Sequence, residues 1–238
     1  MKTAIIVPAR FASERLPGKP LADLGGKPMI VRVLERARAV RGIERAVVAT
    51  DDERIAAAVR ADGGEVAMTP SDCPSGSDRC AHAARQLGDL DVVVNVQGDE
   101  PLLEPRAVEA LLGAFSDPTV EMATLARPLE PGELDNPNVV KVVCNLRGDA
   151  LYFSRAPIPH LRGGGPGTLG RAHVGIYAFR ASFLQAYTRL SPTPLEQSEK
   201  LEQLRVLEHS HAIRVVDTTW RSIGVDTPED LERVRAYY

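Results

Sequence analysis

Short apolar runs alternate with amphipathic stretches through the first 126 residues. Residues 2–7 form an apolar run containing Ile5, Ile6 and Val7, which predicts a buried parallel strand. Residues 28–40 follow a helical period: Met29, Ile30, Val33, Leu34, Ala37 and Val40 share one face, and Pro28 suits the first turn. The alternation continues with a strand over 45–50, a helix over 53–62, and a strand over 65–68 after Gly63-Gly64. It goes on with a helix ending near Leu87, a valine-rich strand over 90–96, a helix over 105–115 and a strand over 121–125. Strand and helix in succession predict an α/β fold with a doubly wound, mostly parallel sheet.

Beyond residue 126 the texture changes. Residues 139–146 and 150–153 predict a hairpin turning at Arg147-Gly148-Asp149. Residues 157–170 are rich in glycine and proline. Their run Gly165-Pro166-Gly167-Thr168-Leu169-Gly170 formally matches the dinucleotide fingerprint, but no strand precedes it and a proline interrupts it, so it is read as a mobile loop. Strands over 173–179 and 212–217 and helices over 182–190, 198–208 and 227–236 follow, the last capped by Thr227. The expected domains are an α/β core over 1–126, a smaller mixed α+β lobe over 127–220, and a return of 221–238 to the core.

Composition narrows the function. With 29 Lys and Arg against 32 Asp and Glu the net charge is −3, so no bulk basic field points to nucleic acid. Any anion must be bound locally. The three cysteines lack metal-ligand spacing, and no apolar run approaches the roughly 18 residues of a membrane span. The residues entering the first strand carry no signal-peptide pattern. The expectation is a cytoplasmic protein with no nucleic-acid or membrane partner.

The chemistry concentrates where the first strand breaks. The loop from Ala9 to Leu21 carries Arg10, Arg15 and Lys19, a hydroxyl at Ser13, and Pro17, Gly18 and Pro20 to fix its path. Guanidinium forks, a compact ammonium and free backbone N–H groups suit a polyphosphate, whereas the ordinary alternative is a loop of solvated charges. It is not a Walker loop: Pro20 follows Lys19 where Ser or Thr is required. Asp99 lies just past the strongest buried strand, and Asp226 follows Ile223-Gly224-Val225 in a similar strand-then-acid arrangement. Each could be a plain turn or cap acid. Beside a basic loop, two such carboxylates suit Mg²⁺ held together with phosphates. Alternation places His173, Gly175 and Tyr177 on one strand face, either a half-buried strand with polar rings or a sugar-binding face.

Taken together, Pro8-Ala9-Arg10, Ser13 and Arg15 to Leu21 resemble the nucleotide-binding signature of cytidylyltransferases that activate acidic sugars. The runs 95–101, 152–156 and 173–177, Leu201-Glu202-Gln203-Leu204-Arg205, and 224–231 narrow the resemblance to the 3-deoxy-manno-octulosonate (Kdo) cytidylyltransferases. That resemblance runs nearly end to end, with the motifs in order. It implies a Rossmann-like nucleotidyltransferase fold and attack of the anomeric hydroxyl of Kdo on the α-phosphate of CTP, giving CMP-Kdo and pyrophosphate for lipopolysaccharide biosynthesis. It implies that Ala9, Arg10, Ser13, Arg15, Lys19, Ser75, Gly76, Arg79 and Gln97 hold the nucleotide. By the same carry-over Asp99 and Asp226 bind Mg²⁺, with Arg10 and Lys19 also catalytic, and Arg155, His173, Tyr177, Glu202 and Gln203 receive the sugar acid. A homodimer packed through the second lobe is expected. The loop over 161–170 is shorter and more glycine-rich than the family's, and 219–222 differs from it. The alternatives are a cytidylyltransferase for 8-amino-Kdo or sialic acid, and a non-catalytic nucleotide-binding protein, which loss of Lys19, Asp99 or Asp226 would have favoured.

Overall fold

A computed structural model describes residues 1–12, 15–163 and 170–238. Ser13 and residues 164–169, which include most of the glycine-rich run, lie outside the described residues. In chain order the elements begin with β1 (Thr3–Ala9), β2 (Asp23–Leu24), β3 (Lys27–Pro28), α1 (Met29–Arg38), β4 (Arg45–Thr50), α2 (Glu53–Ala61) and β5 (Glu65–Met68). Then come α3 (Gly76–Gln86), β6 (Val92–Asn95), α4 (Pro105–Gly113), β7 (Met122–Pro128), β8 (Lys141–Cys144), β9 (Ala150–Ser154) and β10 (Arg171–Arg180). The chain closes with α5 (Ala181–Tyr187), α6 (Pro194–Glu199), α7 (Leu204–Glu208), β11 (Arg214–Asp217) and α8 (Pro228–Arg235).

The chain divides into two units. One comprises Met1–Glu109, Ala178–Thr188 and Ser222–Tyr238, the other Ala110–Tyr177 and Arg189–Arg221. The return of the C-terminal segment begins at 222, close to the expected 221. The first boundary falls at 109 rather than 126, and residues 178–188 rejoin the first unit. The reason is local: α5 packs on α3, and Ala181 donates its N–H to the carbonyl of Asp91 just before β6.

In the first unit four parallel strands lie in the order β6-β1-β4-β5, with Ile6 opposite Asn95 on one side and Val47 on the other. All seven residues of β1 are buried, as a parallel strand covered on both faces requires. Helix α1 buries Met29, Ile30, Val31, Val33, Leu34 and Ala37. The strand order reverses at β1 and β6, and the loops leaving their carboxyl ends therefore flank a switch point, the usual ligand position in such sheets. A small antiparallel pair, β2 with β3, turns at Gly25-Gly26, both at positive φ. Gly25 has a second constraint, because a Cβ there would stand 2.7 Å from the Tyr238 Cβ.

The second unit is mixed. β11 runs parallel to β7, whereas β8 is antiparallel to both β9 and β10. The expected hairpin is present, pairing Lys141 with Ser154 and Val142 with Phe153, with a register shift at Val143/Cys144. The helix expected over 198–208 is instead two short ones. Lys200 adopts φ 55° and caps α6 with its N–H on the Glu196 carbonyl, and the chain turns before α7 begins. The helix expected over 182–190 spans Ala181–Tyr187.

Candidate active site

Three loops of the first unit converge on Lys19. A short 3-10 turn at Lys19–Leu21, entered through Gly18 at φ 69°, aims the Lys19 ammonium at two carboxylates. Its Nζ lies 2.7 Å from Asp99 Oδ2 and 3.1 Å from Asp226 Oδ1. Arg15 Nη2 reaches the other oxygen of Asp226 at 3.1 Å. Burial alone would lower the Lys19 pKa, but the charges and hydrogen bonds of Asp99 and Asp226 outweigh it and raise the value above that of a free lysine. The ammonium therefore stays charged at neutral pH.

The loops are held from below by an apolar cluster. Leu24, Met29, Val225, Leu231 and Val234 are buried together, with Leu16, Ala22, Leu102 and Ile223 packed against them. Each of the three loops contributes at least one of these residues. Above the cluster, Val225 donates its N–H to the Asp99 carbonyl at 2.9 Å. Gly98 approaches β1 so closely that a Cβ there would sit 2.8 Å from the Pro8 carbonyl oxygen. Asp226 itself sits just before the Thr227 capping box of α8, with its N–H donating to Asp230 Oδ2.

The result is a cleft of about 340 Å³ lined by Ala9, Arg10, Arg15, Lys19, Gln97, Asp99 and Asp226, with Pro8, Ala12, Pro20 and Gly98 completing the wall. Arg10 is fixed by donating to the Cys73 carbonyl. Gln97 donates to Asn95 Oδ1 at 3.2 Å. Ser75 is the N-cap of α3: its hydroxyl accepts from the Asp78 N–H and donates to the Asp78 carboxylate at 2.6 Å. Gly76 begins that helix beside the Pro8 ring and the Gln97 side-chain oxygen Oε1. Arg79 departs from its expected place in the nucleotide pocket. It is fully buried, paired with Asp51 at 3.0 Å and donating to Thr69 Oγ1, and it does not line the cleft.

Sequence reasoning missed Glu100. Its carboxyl is buried and accepts from the Ser222 hydroxyl, while its Oε2 has no partner. Burial, reinforced by Asp99 and Asp226 and opposed by the Ser222 bond, raises its pKa to about 7. The only signal was its place in Gly98-Asp99-Glu100-Pro101.

In the second unit the strand face holds as expected: His173 and Tyr177 are partly buried and Gly175 is exposed, while Ala172, Val174 and Ile176 are buried. The His173 and Tyr177 ring centroids are 5.5 Å apart, and His173 Nε2 lies 2.9 Å from Thr124 Oγ1. Burial drives the His173 pKa down to about 3, so the ring is neutral. Arg155 donates its backbone N–H to Glu199 Oε2 at 2.9 Å, Nε to the Glu199 carbonyl at 2.8 Å and Nη1 to the Pro137 carbonyl at 3.0 Å. Glu202 and Gln203 occupy the turn before α7. Glu202 is exposed, whereas Gln203 is buried with an unpartnered Nε2.

Two carboxylate oxygens converging on one cationic point also fit a divalent ion. Among the described residues no group of three or more His, Cys, Asp or Glu could hold a metal. A two-carboxylate set matches Mg²⁺, which keeps its remaining positions for water and substrate phosphate.

Comparison with known proteins agrees with this architecture. The cytidylyltransferase family model matches residues 4–213. The 3-deoxy-manno-octulosonate cytidylyltransferase of Anaeromyxobacter sp. strain Fw109-5 is 60% identical over 236 residues, covering 99% of this chain and 96% of that one. The protein of the same name from Myxococcus xanthus strain DK1622 is 48% identical over 235 residues, with the same coverage of 99% and 96%. The structure of CMP:2-keto-3-deoxy-manno-octonic acid synthetase complexed with CTP superposes with a TM-score of 0.96 at 47% identity, covering 100% of this chain and 98% of that one.

Proposed function

The chain belongs to the 3-deoxy-manno-octulosonate cytidylyltransferases within the cytidylyltransferase family, and from that membership we propose that it couples CTP to Kdo, releasing pyrophosphate and CMP-Kdo. The observation that carries the reading is the Lys19 ammonium held between Asp99 and Asp226 in a cleft that also presents Arg10, Arg15 and Gln97. Phosphoryl and nucleotidyl transfer need positioning and charge neutralisation more than a covalent nucleophile. The cleft supplies both.

In the reaction, the anomeric hydroxyl oxygen of the sugar acid forms a bond to the α-phosphorus of CTP. The bond from that phosphorus to the bridging oxygen breaks, pyrophosphate leaves, and the hydroxyl proton passes to water. Arg10, Arg15 and Lys19 neutralise the triphosphate, and Gln97 with the Ser75-Gly76 turn borders the nucleoside. Asp99 and Asp226 would hold Mg²⁺, which when bound adds charge neutralisation and makes the attacking hydroxyl more acidic. Arg155, His173, Tyr177, Glu202 and Gln203 receive the sugar acid, the Arg155 guanidinium matching its carboxylate.

We place the enzyme in the cytoplasm, as a homodimer serving lipopolysaccharide biosynthesis. The free state of Cys73, Cys80 and Cys144 supports a reducing compartment. Exposed Leu146, Leu151 and Leu195 on the second unit support an apolar contact between copies.

The test is pyrophosphate release from CTP and Mg²⁺ with Kdo, 8-amino-Kdo or sialic acid as acceptor. Release with Kdo that stops on chelation is the expected result. Release with another acid alone would move the substrate, and no release with any would overturn the catalytic reading.

A further inference from the structure

Lys141 opens β8 with a fully buried side chain. Its Nζ donates to two backbone carbonyls, Asn136 at 3.0 Å and Arg155 at 2.5 Å, and among the described residues no carboxylate pairs with it. A buried charge without an ionic partner is destabilising, and proteins rarely keep one for packing alone. Burial pushes this ammonium below its ordinary pKa, with Asp135 and Glu199 opposing the shift and Arg155 adding to it.

The two carbonyls are not arbitrary. One belongs to Arg155. The other belongs to Asn136, next to Pro137, whose carbonyl accepts from Arg155 Nη1. Lys141 thus grips both the backbone from which the Arg155 side chain springs and the turn against which its guanidinium rests. Glu199 completes the frame by taking the Arg155 N–H, the Ser154 hydroxyl and, through its carbonyl, Arg155 Nε. Asp135, which is exposed, and Glu199, whose carboxylate accepts the Arg155 backbone N–H, are the acids that act on Lys141.

We propose that Lys141 is a positioning residue for sugar-acid recognition, fixing Arg155 through the carbonyls of Arg155 and Asn136. The proposal rests on the reading that Arg155 receives the substrate carboxylate. A guanidinium held in advance loses less side-chain freedom on binding than one that must be ordered by its ligand.

The experiment is steady-state kinetics of Lys141→Met, Lys141→Gln, Arg155→Ala and Lys141→Met/Arg155→Ala, each checked for folding by circular dichroism. Lys141→Met is expected to raise the KM for Kdo about tenfold and to move the KM for CTP less than about twofold. The double variant should be no worse for Kdo than Arg155→Ala alone, because Lys141 acts through Arg155. Lys141→Gln, which keeps a donor for the carbonyls and drops the charge, should fall between wild type and Lys141→Met, and it carries the test if the methionine variant does not fold. A raised KM for Kdo in Arg155→Ala with no change in the folded Lys141 variants would overturn the proposal alone. So would equal effects on both substrates, or additive effects in the double variant. An unchanged KM for Kdo in Arg155→Ala would remove the underlying reading and the proposal with it.

Discussion

Ser222 donates its hydroxyl hydrogen bond to Glu100, a residue 122 positions earlier in the chain. The bond joins the segment leading to Asp226 to the loop that carries Asp99, alongside the Val225-to-Asp99 backbone bond. Ser222→Ala would leave both oxygens of a buried carboxyl unpartnered, since Oε2 already lacks a donor. The expected outcome is a loss of about 1–3 kcal/mol in a urea melt. An unchanged melt would mean the loops are joined by the backbone bond and apolar cluster alone.

Asp99→Ala and Asp226→Ala should each lower kcat at least about a hundredfold while keeping the far-ultraviolet dichroism of the parent. Both carboxylates line the cleft and are partly exposed, outside the apolar core, so the fold is expected to survive their loss. A folded Asp99→Ala with near-normal turnover would exclude the two-carboxylate arrangement.

Gly98 tests the closeness of β1 to the loop after β6. A methyl group there would meet the Pro8 carbonyl at 2.8 Å, and neither backbone can yield without shifting Lys19 or Asp99. Gly98→Ala is expected to destabilise by about 1–3 kcal/mol and to weaken CTP binding, read by calorimetry. Intact CTP affinity would show that the cleft tolerates the displacement.

The second unit carries its own pH dependence. Burial would raise the Glu196 pKa, but the Arg205 bonds at 2.5 and 2.8 Å and the Thr193 N–H outweigh it and hold the carboxyl below the ordinary 4.5. A folded value below the unfolded one stabilises above pH 4.5 and is lost as pH falls through the folded value. Arg205→Met should therefore cost about 3 kcal/mol at neutral pH, a deficit that shrinks as pH falls below 4.5. A deficit of the same size at acid and neutral pH would contradict the assignment.

Elements with a single dominant signal were legible in the sequence. The β1 run, the one-faced helix α1 and the valines of β6 each have one period and one environment, and the basic loop and Asp99 follow from their place at strand ends. What eluded the sequence depends on long-range pairing or on single torsions. Nothing near Lys200 announces the left-handed cap that splits the helix expected over 198–208. The burial of Arg79 is decided by Asp51 and Thr69, from other elements. Glu100 and Lys141 likewise owe their settings to Ser222 and to the Asn136 and Arg155 carbonyls.

Strand β10 changes allegiance along its length: its residues through Tyr177 belong to one unit and those from Ala178 to the other. Counting that junction, the chain passes between units four times, at 109/110, 177/178, 188/189 and 221/222. Neither unit is therefore an uninterrupted segment of gene. A single recombination breakpoint could not deliver either one whole to another protein, so the two units are inherited together. Change in the second unit would then arise by point substitution rather than by its replacement.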